Sequence, residues 1–97
     1  MMDFLYEDNR IYSVDDDMLL LAEVLFPARD ASRVDITHVF VVPELRGQGV
    51  ASDLMKTAYQ YIKSQDLKIV AKCPYAIRWF KEHPEYQDIV INVKTRT

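Results

Sequence analysis

The sequence predicts an α+β fold, a twisted mixed β-sheet with one long helix and one short helix. Three observations support this. Extended, β-branched runs fill the first half of the chain, a single long amphipathic stretch follows them, and a short apolar run then precedes a proline-bounded second helix. A strand, a helix and a second strand in succession favour a right-handed parallel crossover. With 97 residues, 49% of them hydrophobic, we expect one domain over residues 1–97 around one core.

The first predicted element is a β-hairpin. Two extended runs, Arg10–Val14 and Met18–Phe26, flank three consecutive aspartates at 15–17. We interpret these aspartates as a solvated turn rather than a metal site, because a metal site needs further ligands from elsewhere in the chain.

A third strand is predicted over Arg33–Val42, which is rich in β-branched residues. Asp35 and His38 break its strict alternation of polar and apolar residues. Broken alternation in a good strand former predicts a β-bulge, and bulges often redirect side chains beside functional sites.

The long helix is predicted from about Gln48 to Ser64, where apolar residues recur at helical spacing. A short apolar strand over Leu67–Ala71 follows it. The second helix is predicted to begin at Pro74, whose missing N–H would be unpaired there in any case, and to end at about Glu82.

The tail is the least patterned part of the chain. Pro84 prevents continuation of the second helix, and the apolar residues that follow predict a further strand at Asp88–Val93.

Charge and cysteine content exclude several classes of function. The chain has 12 basic and 15 acidic residues, and the basic ones are scattered, so we expect no nucleic-acid partner. The longest wholly apolar run, Met18–Ala22, is far too short to span a membrane, and acidic residues occupy the amino-terminal region. A single cysteine, Cys73, cannot form an internal disulfide or a thiolate zinc site. We therefore expect a cytoplasmic protein without a metal or membrane partner.

Both glycines of the chain, Gly47 and Gly49, lie between a predicted strand end and a helix start. Glycine permits close approach of a ligand, and the first amides of a helix are unpaired at the positive end of its dipole, so this loop can bind an anion. A tight turn without a ligand is the alternative. The spacing of a nucleotide-hydrolysing P-loop is absent, and Ser52 occupies the third glycine position of a dinucleotide fingerprint.

The motif R/Q-x-x-G-x-G/A does fit, through Arg46, Gly49 and Ala51. On this motif the chain resembles the GNAT superfamily of acyl-coenzyme A-dependent N-acetyltransferases, and it is similar to that superfamily's minimal, single-domain branch. Further segments share the resemblance, which covers most of the chain: Ala22-Glu23, Asp35-Ile36-Thr37-His38, Leu45 to Ala51, Cys73-Pro74-Tyr75-Ala76 and His83-Pro84-Glu85-Tyr86.

The resemblance implies acetyl-coenzyme A (acetyl-CoA) as cosubstrate and an amine as acceptor. It implies that the pyrophosphate binds to the loop and helix start, at Arg46, Gly47, Gln48, Gly49, Val50 and Ala51. It also implies that the pantetheine arm and the thioester lie along the preceding strand, at Val39, Phe40 and Val41, where backbone N–H groups near the expected bulge would face the thioester carbonyl.

Acetyl transfer requires a positioned thioester, a deprotonated nucleophile and hydrogen-bond donors for the developing oxyanion. His38, on the strand expected to carry the thioester, is the candidate proton acceptor, with a structural histidine as the alternative. Cys73 precedes Pro74, where a helix amino terminus favours the thiolate. It is a candidate for a covalent acetyl-cysteine relay, a pocket-lining residue or a small packed residue. Tyr75 is a candidate proton donor to the leaving thiolate.

Three functions stay open at this level. The first is an acetyltransferase acting on an amine. The second is a non-catalytic module that binds coenzyme A, because a fold this small leaves little wall for an acceptor pocket. The third is an interaction domain in which the glycine loop only turns the chain. An exposed sheet edge allows either a monomer or a homodimer.

Overall fold

A computed structural model describes residues 3–94 of the chain. These residues form a β-rich layer with one long and one short helix, so the predicted α+β fold is confirmed. The elements in order are β1 (Leu5–Glu7), β2 (Arg10–Val14), β3 (Leu20–Leu25), β4 (Arg33–Ile36), β5 (His38–Val41), α1 (Val50–Ser64), β6 (Lys68–Ala71) and α2 (Pro74–Glu82).

The predicted hairpin is confirmed as β2 and β3, which pair antiparallel. Its turn is closed by the Asp15 carboxylate, which accepts hydrogen bonds from the backbone N–H groups of Asp17 (2.8 Å) and Leu19 (2.9 Å). Met18 has a positive φ of 66°, so β3 begins at Leu20 rather than at Met18. Strand β1, which the sequence did not predict, pairs antiparallel with β2. Its three residues are all exposed, so it lacks the apolar alternation by which strands are recognised.

The prediction of one strand over Arg33–Val42 is wrong, because the chain changes partners at Thr37. Strand β4 pairs in parallel with β6, whereas β5 pairs antiparallel with β3. The Thr37 N–H donates to the Leu25 carbonyl (3.1 Å), while the Ile36 carbonyl accepts from the N–H groups of Lys72 (2.9 Å) and Cys73 (3.0 Å) on the other side. Strands β5 and β6 therefore diverge, and β5 becomes an edge strand.

The predicted bulge is also wrong. Strand β5 keeps a regular register against β3 from His38 to Val41, because the change of direction is absorbed by the break at Thr37. The register shift in this sheet lies in the hairpin, between Ser13 and Val14.

Helix α1 packs its apolar side on the sheet. It begins at Val50, two residues after the predicted start, because Gly49 is in a left-handed conformation that ends the loop. Five of its residues are buried: Leu54, Met55, Ala58, Tyr59 and Ile62. They meet the buried side chains of the strands, such as Val24 and Ile36, in a continuous core.

The second helix and the tail complete the core. Helix α2 has the predicted limits, Pro74–Glu82, and buries Ala76, Trp79 and Phe80. The predicted strand at Asp88–Val93 does not form, although Val90 makes one parallel bridge to Ile69. Instead the Asn92 side chain takes the place of strand backbone: its amide donates to the Ala71 carbonyl (2.8 Å), and its oxygen accepts from the Ala71 N–H (2.9 Å).

Candidate active site

Two glycines in left-handed conformations lead the chain from β5 into α1. Gly47 has a φ of 80° and Gly49 a φ of 82°, and Gly49 is the N-cap residue of α1. A Cβ placed on either glycine would meet nothing within 4 Å, so open space lies in front of both. The first N–H groups of the helix lack intrahelical partners and carry its positive partial charge, which makes this space suitable for an anion such as a pyrophosphate.

The edge of β5 next to this loop carries backbone groups that do not pair with β3. The Val42 N–H donates to the Leu21 carbonyl in β3 (2.9 Å), so by the two-residue alternation of a strand the backbone groups of Val39 and Val41 face away from β3. Arg46 lies over this edge and donates from Nε to the Val41 carbonyl (3.0 Å). An extended ligand with amide groups can pair with such an edge as a further strand would.

The loop and the strand edge line two adjoining cavities, of about 320 Å³ and 280 Å³. Both cavities are lined by Val41, Arg46, Ala51 and Tyr75, so we describe them together as the β5–α1 cleft. Of the residues that the resemblance assigns to the cosubstrate, eight line this cleft: Val39, Phe40, Val41, Arg46, Gly47, Gly49, Val50 and Ala51.

Gln48 is the assigned residue that does not line the β5–α1 cleft. Its side chain donates to the Glu44 carbonyl (3.0 Å) and lines a neighbouring cavity of about 500 Å³ together with Phe4 and Lys56. That cavity lacks both the glycines and the strand edge, so the β5–α1 cleft is the better candidate site.

Tyr75 lines both cavities of the cleft from the first turn of α2. Burial raises the pKa of its phenol, an effect that the nearby Arg78 guanidinium partly opposes. The hydroxyl is therefore protonated at neutral pH and can donate a proton or a hydrogen bond into the cleft.

The two candidate catalytic residues, His38 and Cys73, do not line either cavity. The Cys73 N–H donates to the carbonyl of Ile36, two residues before His38, so both residues lie where β5 and β6 separate. Cys73 is a half-buried free thiol at the N-cap position of α2. The structure thus brings the backbones of His38 and Cys73 to the point where β5 and β6 separate, but neither side chain lines the cleft.

His38 contacts Glu23, a carboxylate to which the sequence assigned no catalytic or binding role. Its imidazole Nε2 lies 3.5 Å from Glu23 Oε1, and Arg10 Nε lies 2.6 Å from Glu23 Oε2. The His38 side chain is 48% exposed and that of Glu23 only 14%. One signal could have identified Glu23: it is the only charged residue in the otherwise apolar run from 18 to 26.

Within residues 3–94, no group of three or more His, Cys, Asp or Glu side chains is arranged to hold a metal ion. Neither helix in this range combines the length and apolarity needed to cross a bilayer.

A family model agrees with this geometry. The model of the GCN5-related N-acetyl-transferase family matches residues 10–89, which include the β5–α1 cleft, His38 and Cys73. Protein NATD1 of Xenopus tropicalis is 33% identical over 63 residues, which are 65% of this chain and 58% of that protein. Human Protein NATD1 is 37% identical over 51 residues, 53% of this chain and 45% of that protein. The chain thus spans about half the length of these curated relatives.

Solved structures support the same fold. A GCN5-like candidate N-acetyltransferase from Staphylococcus aureus, solved by NMR, superposes with a TM-score of 0.80 at 30% identity and covers 96% of this chain and 91% of its own. A candidate acetyl transferase from Pyrococcus furiosus has a TM-score of 0.60 at 22% identity over 91% of this chain and 60% of its own, and it shows the fold alone. The family model, the fold and the position of the glycine loop agree, and the chain belongs to the GCN5-related N-acetyltransferase family.

Proposed function

We propose that this chain binds acetyl-CoA in the β5–α1 cleft and transfers the acetyl group to an amine. One observation carries the proposal: the amino terminus of α1, with its unpaired N–H groups, and the edge of β5 line the same cleft. A pyrophosphate needs the first of these features and a pantetheine arm, with its two amides, needs the second. Their adjacency matches the order of these groups along coenzyme A.

The residues of the cleft fit the ligand. The open space before Gly47 and Gly49 admits a phosphate group, to which the backbone N–H groups at the start of α1 can donate. The backbone groups of Val39 and Val41 are placed to pair with the pantetheine amides and to donate to the thioester carbonyl. When bound, acetyl-CoA supplies an acetyl group activated as a thioester.

The proton transfers are assigned to His38 and Tyr75. His38, beside Val39, accepts the proton that the amine loses as its nitrogen bonds to the acetyl carbon. Tyr75 lines both cavities with a protonated phenol and donates to the departing sulfur. The C–S bond breaks, an amide bond forms, and free coenzyme A leaves with the proton from Tyr75. Solvent then takes the proton from His38 and returns one to Tyr75, which restores both residues.

Cys73 offers a second route to the same products. Its thiolate would bond to the acetyl carbon as coenzyme A leaves, and the acetyl group would then pass to the amine and regenerate the thiol. The variant Cys73→Ala separates the routes: turnover persists if transfer is direct and is abolished if transfer passes through the thiol. Mass spectrometry of the protein with acetyl-CoA but without amine checks the same point, because only the relay leaves an acetyl group on the chain.

Binding without turnover is the second candidate function. The observation that favours it is that neither His38 nor Cys73 lines the cleft. Both candidate functions require acetyl-CoA binding, and only the enzyme releases coenzyme A in an amine-dependent way. A free thiol at Cys73 is compatible with a reducing compartment, which supports a cytoplasmic setting for either function.

Calorimetric titration with acetyl-CoA, and with coenzyme A in parallel, tests the site through a matched pair of variants at Gly49. We expect Gly49→Ala to keep binding, since an added Cβ meets nothing within 4 Å, while its positive φ costs about 1 kcal/mol of stability. We expect Gly49→Glu to abolish binding, because it places a negative charge where the pyrophosphate would lie. If Gly49→Glu has native circular dichroism and binds acetyl-CoA as tightly as Gly49→Ala and the unmodified protein do, the site is elsewhere.

A further inference from the structure

One face of the four-stranded sheet β1-β2-β3-β5 carries a continuous polar network. The Tyr12 hydroxyl donates to Glu7 Oε1 (2.5 Å), and Glu7 Oε2 lies 3.7 Å from Arg10 Nη1. Arg10 in turn binds Glu23, and Glu23 approaches His38. The network crosses all four strands of the sheet and ends at His38, on the edge strand that borders the β5–α1 cleft.

The two oxygens of Glu23 have separate partners. Arg10 Nε donates to Oε2 at 2.6 Å, while Oε1 lies 3.5 Å from His38 Nε2. The Arg10 guanidinium lies over the Tyr12 ring, 3.7 Å from its centre, and is thereby fixed on both sides. With Oε2 occupied by a short charge-assisted bond, Glu23 presents Oε1 to the imidazole in a defined direction.

Glu23 approaches the His38 imidazole at Nε2, and Nδ1 is the second ring nitrogen. The charged groups that face the ring from the packed strands are Glu23 on β3 and, behind it, Arg10 on β2 with Glu7 on β1. The Phe40 ring on β5 is nearly parallel to the imidazole, at 6.4 Å between centres. A carboxylate oxygen can only accept a hydrogen bond, so Glu23 favours the form of the neutral ring that carries its hydrogen on Nε2, the nitrogen 3.5 Å from Oε1.

We propose that Glu23 is a positioning residue, which holds His38 in the tautomer protonated at Nε2 so that the lone pair for proton acceptance is on Nδ1. The assignment rests on the proposed role of His38 in the transfer. When Nδ1 takes the proton from the amine, the ring becomes an imidazolium, and the charge of Glu23 stabilises it in place. Arg10 acts one step further away, by holding Glu23.

The ¹⁵N chemical shifts of the His38 ring test the assignment without any acceptor. In the unmodified protein above neutral pH, we expect the shifts of the tautomer protonated at Nε2. The isosteric variant Glu23→Gln reverses it, because the Gln oxygen stays with Arg10 and the amide NH₂ then donates to Nε2, which forces the hydrogen to Nδ1. A ring protonated at Nδ1 in the unmodified protein would overturn the proposal, and this measurement depends on no variant.

The matched control is Glu7→Gln. Glu7 is a carboxylate on the same sheet face that contacts Arg10 and not His38, so this variant is expected to keep the Nε2 tautomer. If Glu7→Gln and Glu23→Gln give the same ring shifts, Glu23 does not set the tautomer.

A kinetic measurement separates positioning from structure. With benzylamine as the probe amine and thiol release as the signal, Glu23→Gln is expected to lower kcat at least about tenfold, since a positioned proton acceptor contributes roughly 10²–10⁴-fold. The KM for acetyl-CoA is expected to stay unchanged, because Glu23 does not line the cleft. An unchanged kcat would overturn the proposal. Absence of acetyl-CoA binding in the unmodified protein would instead refute the proposed function, while the ring shifts would still decide the role of Glu23.

Discussion

Tyr75 is a side chain whose environment, rather than its position in the sequence, sets its chemistry. Burial raises the pKa of its phenol, so the proton-bearing form persists to higher pH than that of an exposed tyrosine. If this proton goes to the departing sulfur, Tyr75→Phe lowers kcat and leaves the affinity for acetyl-CoA unchanged. Thiol-release kinetics beside calorimetric titration measure the two quantities. A variant with full kcat would exclude Tyr75 as the donor.

Local signals made the glycine loop predictable, whereas the contact between Glu23 and His38 depends on distant parts of the chain. Gly47 and Gly49 are separated in sequence only by Gln48, so a motif of six residues describes the whole glycine loop. Glu23 meets His38 only because β3 and β5 pair in one particular register, with Leu25 opposite His38. Such a register depends on the complete sheet, and no short segment encodes it.

At the level of elements, a hydrogen bond joins the two helices. Trp79 is buried in α2, and its indole N–H donates to the Ser52 hydroxyl in α1 (2.9 Å). We expect Ser52→Ala to lower the free energy of unfolding by about 1–3 kcal/mol, because the buried indole N–H loses its partner. Urea denaturation measures the change.

The matched control is Ser64→Ala in the same helix. The Ser64 hydroxyl is exposed and donates only within α1, to the Tyr61 carbonyl (2.6 Å), so its loss is expected to change stability by less than about 0.5 kcal/mol. Equal effects of the two substitutions would show that the link between the helices does not contribute to stability.

The Asn92 side chain closes the outer edge of β6. Removing it in Asn92→Ala leaves the N–H and carbonyl of the buried Ala71 without these partners, which we expect to cost about 2 kcal/mol. Hydrogen exchange of the Ala71 amide should accelerate. In Asn92→Asp the side chain still accepts from Ala71 N–H but cannot donate to its carbonyl, so an intermediate protection is expected. Unchanged exchange in Asn92→Ala would contradict this account.

Element boundaries followed from sequence where a single residue type ends an element. Pro74 and Pro84 bracket α2, and the predicted limits of that helix are those observed. The run over Arg33–Val42 contains no such residue, and its β-branched composition is compatible with one strand or two. The break at Thr37 arises from competition between two partners, β3 and β6, and a pattern within one segment carries no information about that competition.

For the whole molecule, one ionic cluster ties α1 to the tail. Asp88 accepts from the Lys63 ammonium (2.7 Å) and from the Tyr59 hydroxyl (2.6 Å), and these bonds lower its pKa below the ordinary 3.8. The Asp88 carboxylate in turn raises the pKa of Lys63 above 10.5. The pair therefore stabilises the fold fully between these ordinary values. This stability is lost as pH falls through the lowered pKa of Asp88 or rises through the raised pKa of Lys63.

Asp88→Asn removes this contribution at every pH. We expect its free energy of unfolding to fall less than that of the unmodified protein when the pH drops from neutral to below about 4, which urea denaturation at each pH measures. Lys63→Gln removes the other partner, and its free energy of unfolding should likewise fall less between neutral pH and about pH 4. If acidification lowers the free energy of unfolding equally in the unmodified protein and both variants, the acid sensitivity arises elsewhere.

The division of one extended segment at Thr37 also bears on the order in which the protein folds. Strands β2, β3 and β5 are close together along the chain, so their antiparallel contacts close short loops. Strand β4 must wait for β6, which follows the whole of α1, and such distant pairings form slowly. We therefore expect the antiparallel strands β2, β3 and β5 to pair first. The separation of β4 from β5 at Thr37 is then fixed only when β6 pairs with β4. If acetyl-CoA binds in the β5–α1 cleft as proposed, it should bind after the last step of folding and slow unfolding without accelerating folding.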